Sequence, residues 1–391
     1  MELAYSGLIV VELADDPAGE YTGKLLADQG ADVIKVEPPG GAASRHIGPY
    51  AGGDVDPDKS LNFWTYNTSK RSVTVDTDNE EGRAALANLI AGADILLTTG
   101  RPLDLEAQGL NLERLCAEQP RLIALSVSPF GLTGPWANYT SSDLVGLAMG
   151  GLLTTCGYDD HSIPPIRPGG NQGYMTAASF ALCGLLLALI ERQNTGQGQL
   201  VDVSMHESIA VTGELANPYW FYPKALVQRQ TCRHAQPEPT QPALFQCADG
   251  VWVYFALILA DQHAWKALTS WMESAGVAAD LVDDEYLSLA CRQENFSHIQ
   301  ELLEVFFLIQ DSGTVYREGQ GRGLPIGPLR APEELFDDEH LAERGFFVPV
   351  EMHDGSSALF PGTPYRFSSG DGAPTRPPRL GEHTEEVLAH D

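Results

Sequence analysis

Short β-branched runs alternate with amphipathic stretches through the first third of the chain. Leu8–Leu13 (LIVVEL) has the length and branching of a buried strand. Ala18–Gly30 follows with Tyr21, Leu25 and Leu26 on one face and Gly30 as its stop, which predicts a helix. Asp32–Glu37 (DVIKVE) reads as a second strand, closed by Pro38-Pro39-Gly40-Gly41. Strand, helix and strand within about thirty residues make a βαβ unit, and hence a parallel sheet. The pattern then repeats. A polar turn runs into a strand over Asn67–Val75, and a helix is expected at Glu80–Ala93 and a strand at Asp94–Leu97. Another helix at Asn111–Glu118 leads to a strand at Leu122–Val127. The expected class is α/β, with a large doubly wound, Rossmann-like domain whose ligands bind outside the carboxyl ends of the strands. No G-x-G-x-x-G follows the first strand, so the dinucleotide fingerprint is absent.

Further along, Gly173–Arg192 reads as a long apolar helix. Its core, Met175–Ile190, is interrupted by Thr176, Ser179 and Gly184 and is short for a membrane span, so a buried helix is expected. Leu200–Val203 is a strand and Glu207–Leu215 a helix. Tyr219–Pro223 marks a change of region, and the Pro-rich Thr231–Pro242 reads as a linker or loop. Asp249-Gly250, between two apolar runs, is a hairpin signal, and helices are expected at Gln262–Ala275 and Gln300–Ile309. A helix at Glu333–Phe336 and short strands at Phe346–Val350 and Ala358–Phe360 precede a tail rich in Pro and Gly. The expected organisation is a large α/β domain over 1–224, a smaller α/β-mixed domain over 225–330, and a return to the large domain over 331–391.

Composition narrows the function. The chain has 391 residues, 43% of them hydrophobic, and a net charge of −29 with 24 Lys and Arg. That balance excludes a general nucleic-acid binder. It also opposes anionic ligands, so a phosphate-bearing ligand needs local cations or helix N-termini. The six cysteines show no C-x-x-C spacing. They read as reduced thiols of a cytoplasmic protein, with no metal site. The first apolar run lacks a basic leader and stops at Asp15-Asp16, so neither a signal peptide nor a membrane association is expected.

Candidate chemistry centres on Thr140–Gly157, where Asp143 stands at the start of an apolar helical run that ends in Gly150-Gly151. An acid there is either a helix cap, a role that Ser142 also suits, or a carboxylate nucleophile that splits one hard step into easier ones. Lys70, Arg71 and Arg101 flank strands; taken singly, each reads as a surface charge.

Several stretches together resemble the family III (CaiB/BaiF-type) CoA-transferases, which include formyl-CoA transferase, carnitine CoA-transferase and α-methylacyl-CoA racemase. They are LLADQGADVIKVEPPGG (Leu25–Gly41), NTSKRSVTVD (Asn67–Asp76), SPFGLTGPW with SSDLVGLAMGGLLTTCG (within Ser128–Gly157), LALIERQNTGQGQLVDVSMHES (Leu187–Ser208), APEELFDDEHLAERGFF (Ala331–Phe347) and LGEHTEEVL (Leu380–Leu388). The resemblance implies a large domain built from both chain ends, a small middle domain, and an interlocked homodimer. It implies that Asp143 takes CoA from an acyl-CoA through an anhydride and an aspartyl-CoA thioester, then passes it to a free carboxylic acid. CoA and acyl-CoA are substrates, with no tightly bound cofactor. Pro17 and Ala18 after the first strand, with Lys70, Arg71 and Arg101, are the implied CoA contacts. The chain departs from the family pattern at Pro129 and Asn171, where a Gly and, in many members, an Asp are usual. It also lacks a glycine lid at Thr231–His234. The alternatives are an α-methylacyl-CoA racemase, for which His161, His206 or His234 would have to supply the base that Ser142 does not, and a catalytically idle CoA binder.

Overall fold

A computed structural model describes residues 2–213, 216–257, 259–368 and 370–389. The chain divides into two compact units, one of residues 1–153, 167–214 and 339–391, the other of 154–166 and 215–338. The sequence placed the divisions at 224/225 and 330/331. The second unit also takes in 154–166, which bonds to the supposed linker through Asp159, as set out below.

In the first unit, β1 (Ile9–Leu13) leads into α1 (Pro17–Ala27) and β2 (Asp32–Glu37). Then come α2 (Leu61–Tyr66), β3 (Arg71–Thr74), α3 (Glu80–Ala91), β4 (Ile95–Thr99), α4 (Pro102–Ala107), α5 (Leu112–Glu118) and β5 (Ile123–Ser128). After these run α6 (Asp143–Met149), α7 (Gln172–Thr195), β6 (Leu200–Ser204) and α8 (Met205–Val211). Glu214 and Leu215, the end of the helix expected at 207–215, lie outside the described residues. The six strands form one parallel sheet in the order β3-β2-β1-β4-β5-β6. The order reverses between β1 and β4, and a crevice opens at their carboxyl ends.

Both faces of the sheet are covered, which is why its strands read as nearly continuous apolar runs. On one face, Val10, Val33, Ile95, Ile123 and Leu125 pack with Leu26 of α1 and Ala177, Ala181 and Leu185 of α7. On the other, Val11, Ile34, Leu96 and Ala124 meet Leu86, Leu89 and Ile90 of α3. Helix α7 is long and apolar enough to cross a membrane, but only 33% of its most apolar stretch is buried. The expected buried helix is therefore buried on one side only. Its inner row, Ala177, Ala181, Leu185 and Ala188, is 0–2% exposed, while Phe180, Leu187 and Ile190 are 41%, 69% and 57% exposed on the other side.

In the second unit, α9 (Ala216–Phe221) precedes an antiparallel hairpin, β7 (Gln228–Gln230) and β8 (Arg233–Gln236). Residues 231–242 were expected to be irregular. In fact β8 pairs with β7, Thr231 Oγ1 accepts from Asp159 N, and Arg233 forms an ion pair with Asp159. The expected turn at Asp249-Gly250 joins β9 (Leu244–Gln246) to β10 (Trp252–Phe255), with Gly250 at φ 81°. Helices α10 (Gln262–Ser274), α11 (Leu289–Glu294), α12 (Phe296–Leu308) and α13 (Ser312–Gly321) follow, then β11 (Ile326–Pro328), which pairs with β10. Trp265, Leu268, Phe306 and Phe307 fill the core of this unit.

The chain then rejoins the first unit through α14 (Glu339–Glu343), the hairpin β12 (Phe347–Glu351) and β13 (Ser357–Pro361), and α15 (Thr384–Leu388). The end of the chain runs along β3: His383 N donates to Ser72 O, and Thr384 Oγ1 accepts from Thr74 N. An edge strand with open hydrogen-bonding groups is thereby covered.

Candidate active site

The turn after β1 ends at Asp16, which caps α1 by accepting from Ala18 N at 3.0 Å and Gly19 N at 3.1 Å. In dinucleotide folds this helix N-terminus takes a phosphate; here a carboxylate already occupies it. Burial pushes the Asp16 carboxyl up to about 7, against the pull of the two N–H donors. After β4, Arg101 holds Asp104 through Nε (2.9 Å) and Nη2 (2.8 Å) and reaches Thr140 through Nη1 at 3.4 Å. Asp16, Ala18, Arg101, Ser128, Thr140 and Tyr174 line a crevice of about 270 Å³. Burial raises the Tyr174 phenol to about 12, so it stays a neutral hydroxyl at working pH.

Asp143 stands at the start of α6, whose N-cap is Ser142, accepting from Val145 N. The Asp143 side chain serves a different helix. Its Oδ1 accepts from Gly173 N at 2.8 Å and Tyr174 N at 3.4 Å, in the first turn of α7. The N-cap residue of α7, Asn171, makes no capping bond of its own, so Asp143 caps this helix from outside. Oδ2 accepts from Arg167 Nε at 3.0 Å and Nη2 at 2.8 Å. Asp143 is 4% exposed. Close backbone packing sets this up, as the glycines in the sequence suggested: a Cβ on Gly146 would lie 2.6 Å from Met205 Cε, and one on Gly150 2.4 Å from Ile209 Cγ2. Thus α6 lies flat on α8 and presents Asp143 to α7.

The structure brings only part of the expected set together. Ala18 and Arg101 line the crevice, and Pro17 stands between the lining residues Asp16 and Ala18. Lys70 and Arg71 do not line the crevice. The three Lys70 Nζ donors go to Glu12 Oε1 (3.0 Å), Glu20 O (2.7 Å) and Asn67 Oδ1 (2.8 Å), which leaves none for a phosphate. Arg71 opens β3, at the amino end of the sheet, and pairs with Asp32 and Glu386. Both are paired with carboxylates of the protein. Among the described residues no histidine bonds Asp143; His206 Nε2 instead faces Met149 O at 3.2 Å.

Arg167 and Gly173 were missed. Their only signal was the string R-P-G-G-N-Q-G (Arg167–Gly173) ahead of a long helix, a basic residue and glycines where backbone amides are left unpaired.

Comparison with known proteins adds a second line of argument. The sequence model of CoA-transferase family III matches residues 5–384. The chain is 34% identical to the succinyl-CoA:(R)-benzylsuccinate CoA-transferase subunit BbsE of Thauera aromatica, covering 98% of this chain and 93% of that one. It is 32% identical to the succinyl-CoA–L-malate CoA-transferase beta subunit of Chloroflexus aurantiacus, over 99% and 93%. Among solved structures, a CAIB/BAIF family protein from Brucella suis superposes with a TM-score of 0.84 at 28% identity, covering 100% of both chains.

Proposed function

The chain belongs to CoA-transferase family III, and from that premise we propose that it moves CoA from an acyl-CoA to a free carboxylic acid through Asp143. The observation that carries this reading is the unequal setting of the two carboxylate oxygens. Oδ1 is held by backbone amides at 2.8 and 3.4 Å, while among the described residues Oδ2 is met only by a side chain that reaches into solvent. Oδ2 attacks the thioester carbonyl and CoA thiolate leaves, giving a mixed anhydride. The thiolate then attacks Cγ of Asp143, and the first acid leaves. Negative charge develops on Oδ1 in that step, where the Gly173 and Tyr174 amides already point. A second acid reverses the sequence. No step needs a proton, because each exchanges one anion for another. Ala18 and Arg101 would receive part of CoA at the crevice, with Arg101 exchanging Asp104 for phosphate.

The test is intact mass after mixing the protein with succinyl-CoA or another acyl-CoA and no acceptor. A CoA adduct on Asp143, cleaved by hydroxylamine and missing from Asp143→Asn, is expected. Its absence across a broad panel of donors would refute the carrier role.

A second reading is favoured by two observations: both Asp143 oxygens are engaged in the free chain, and both relatives named above are subunits. Under it, Asp143 only caps α7 and a sister chain carries the CoA. The same measurement on the purified assembly separates the two, because the adduct then appears on the other chain. Under the first reading the exposed row Phe180, Leu187 and Ile190 on α7 is proposed as a subunit-facing surface, with a second copy of this chain as its occupant. Leu187→Asp should yield monomers by light scattering; an unchanged mass would remove α7 from the interface.

A further inference from the structure

We infer that Arg167 recruits the acid acceptor: it covers Asp143 at rest and, once Asp143 carries CoA, holds the carboxylate of the incoming acid. The inference rests on Asp143 being the carrier.

Among the described residues, Arg167 is the only cation bonded to Asp143. Its Nη2 is also anchored to Gly170 O at 2.9 Å and Asn171 Oδ1 at 3.3 Å. Asn171 is fixed in turn by the Tyr66 hydroxyl, which accepts from its Nδ2 at 3.0 Å. The guanidinium is thus held in place along one edge. Its Nη1 meets no partner among the described residues, and the side chain is 44% exposed against 6% for that of Asp143. One edge is built into the protein and the other faces outward.

The chemistry supplies the rest. When thioester replaces carboxylate, Asp143 loses its negative charge and Arg167 its counter-ion. Lys70 and Arg71 keep theirs, in Glu12 and Asp32, and Arg101 takes the phosphate of CoA in place of Asp104. The loaded site therefore carries one uncompensated positive charge, on a planar fork matched to carboxylate geometry, beside the carbon to be attacked. The acid's oxygen bonds to Cγ and thiolate leaves with its electron pair. The thiolate then bonds to the acid's carbonyl carbon, and the Asp143 carboxylate leaves and pairs with Arg167 again. Water and alcohols carry no charge and gain nothing from the vacancy, which favours transfer over hydrolysis.

The experiment compares wild type with Arg167→Met and Arg167→Lys, reading the donor half-reaction as adduct mass and the acceptor half-reaction as the KM of the free acid. All three proteins should form the adduct. The Met variant should raise the acid's KM by about tenfold or more with little change for acyl-CoA. The Lys variant, which keeps the charge without the fork, should fall between, and millimolar guanidinium should partly rescue the Met variant. Adduct in all three with an unchanged acid KM would overturn this inference alone. A wild-type protein that never forms adduct would remove the carrier reading, and this inference with it.

Discussion

The first unit buries carboxylates in two ways. Behind the crevice, Glu12 and Glu20 meet Lys35 at 3.1 and 2.9 Å, and Lys70 meets Glu12 at 2.8 Å, with every one of these side chains 0% exposed. At the site, Asp143 is also buried, its side chain 6% exposed, but its cation reaches water. The first arrangement cannot open without stranding a charge in a medium that solvates it poorly. Burial alone would lower the Lys35 ammonium, yet Glu20 and Glu12 hold it above its ordinary range; for Lys70 burial prevails and the ammonium falls to about 8. The second arrangement opens by a side-chain rotation, because Arg167 exchanges Asp143 for water and Asp143 keeps two amides at a helix N-terminus. Burial of both sets of carboxylates thus hides opposite roles: one cluster is framework, the other is a pair that can be exchanged.

Paired substitutions give the largest test of that contrast. Asp143→Asn keeps the shape of the cap but removes the nucleophile, and should lower transfer by about 10⁴-fold, near 5.5 kcal/mol of barrier, while the thermal midpoint barely moves. Lys35→Met should do the reverse. It strands Glu12 and Glu20 and should cost about 3–5 kcal/mol of stability, read as a lower urea midpoint or as insoluble protein. If Lys35→Met folds as well as wild type, the framework role is wrong. If Asp143→Asn unfolds the protein, Asp143 belongs with the framework.

How much of this was legible in the sequence depended on whether the signal was local. The parallel sheet was, because β-branched runs such as Ile95–Thr99 sit between helical periods, and each unit of the pattern spans few residues. The role of Asp143 was legible as two readings, cap or nucleophile; the capping is real, but it serves a helix 29 positions further on, which no local rule shows. Lys70 and Arg71 are neighbours in sequence but not in setting, because Lys70 lies in the turn before β3 and Arg71 opens the strand. One turns into the interior toward Glu12 and the other toward Asp32. Arg167 was invisible because pairing across 24 positions is a tertiary fact. Residues 231–242 looked like a linker because Pro and polar residues hide a short strand whose partner, β7, is itself only three residues long.

Asp16 offers a smaller test. Its carboxyl titrates near 7 in the folded chain and near 3.8 when unfolded, so between those values the folded form binds more protons. Its contribution to stability is fully present below about pH 4 and is lost as pH rises through about 7, by about 1–2 kcal/mol after screening at the crevice mouth. Over the same window the crevice gains a negative charge, so CoA affinity should fall as pH rises. Asp16→Asn should flatten both profiles. A CoA affinity that keeps its full pH dependence in that variant would place the relevant titration elsewhere.

Gly173→Ala is the finest probe, since it separates cap from catalyst at one atom. A Cβ there would stand 3.1 Å from Asp143 Oδ1 and 3.2 Å from Ile209 Cδ1, close enough to push the carboxylate by a few tenths of an ångström. The Gly173 amide remains, so no hydrogen-bond donor is removed. Alanine also restricts the unfolded chain and favours helix by up to about 1 kcal/mol, which should balance the crowding and leave stability nearly level. A misaligned oxyanion donor has no such compensation. Adduct formation should slow by about three- to tenfold, or about 0.7–1.4 kcal/mol, with the thermal midpoint unchanged. If stability falls instead and the adduct forms at the wild-type rate, the amide contact is a helix cap and nothing more, and Asp143 moves to the framework side of the comparison.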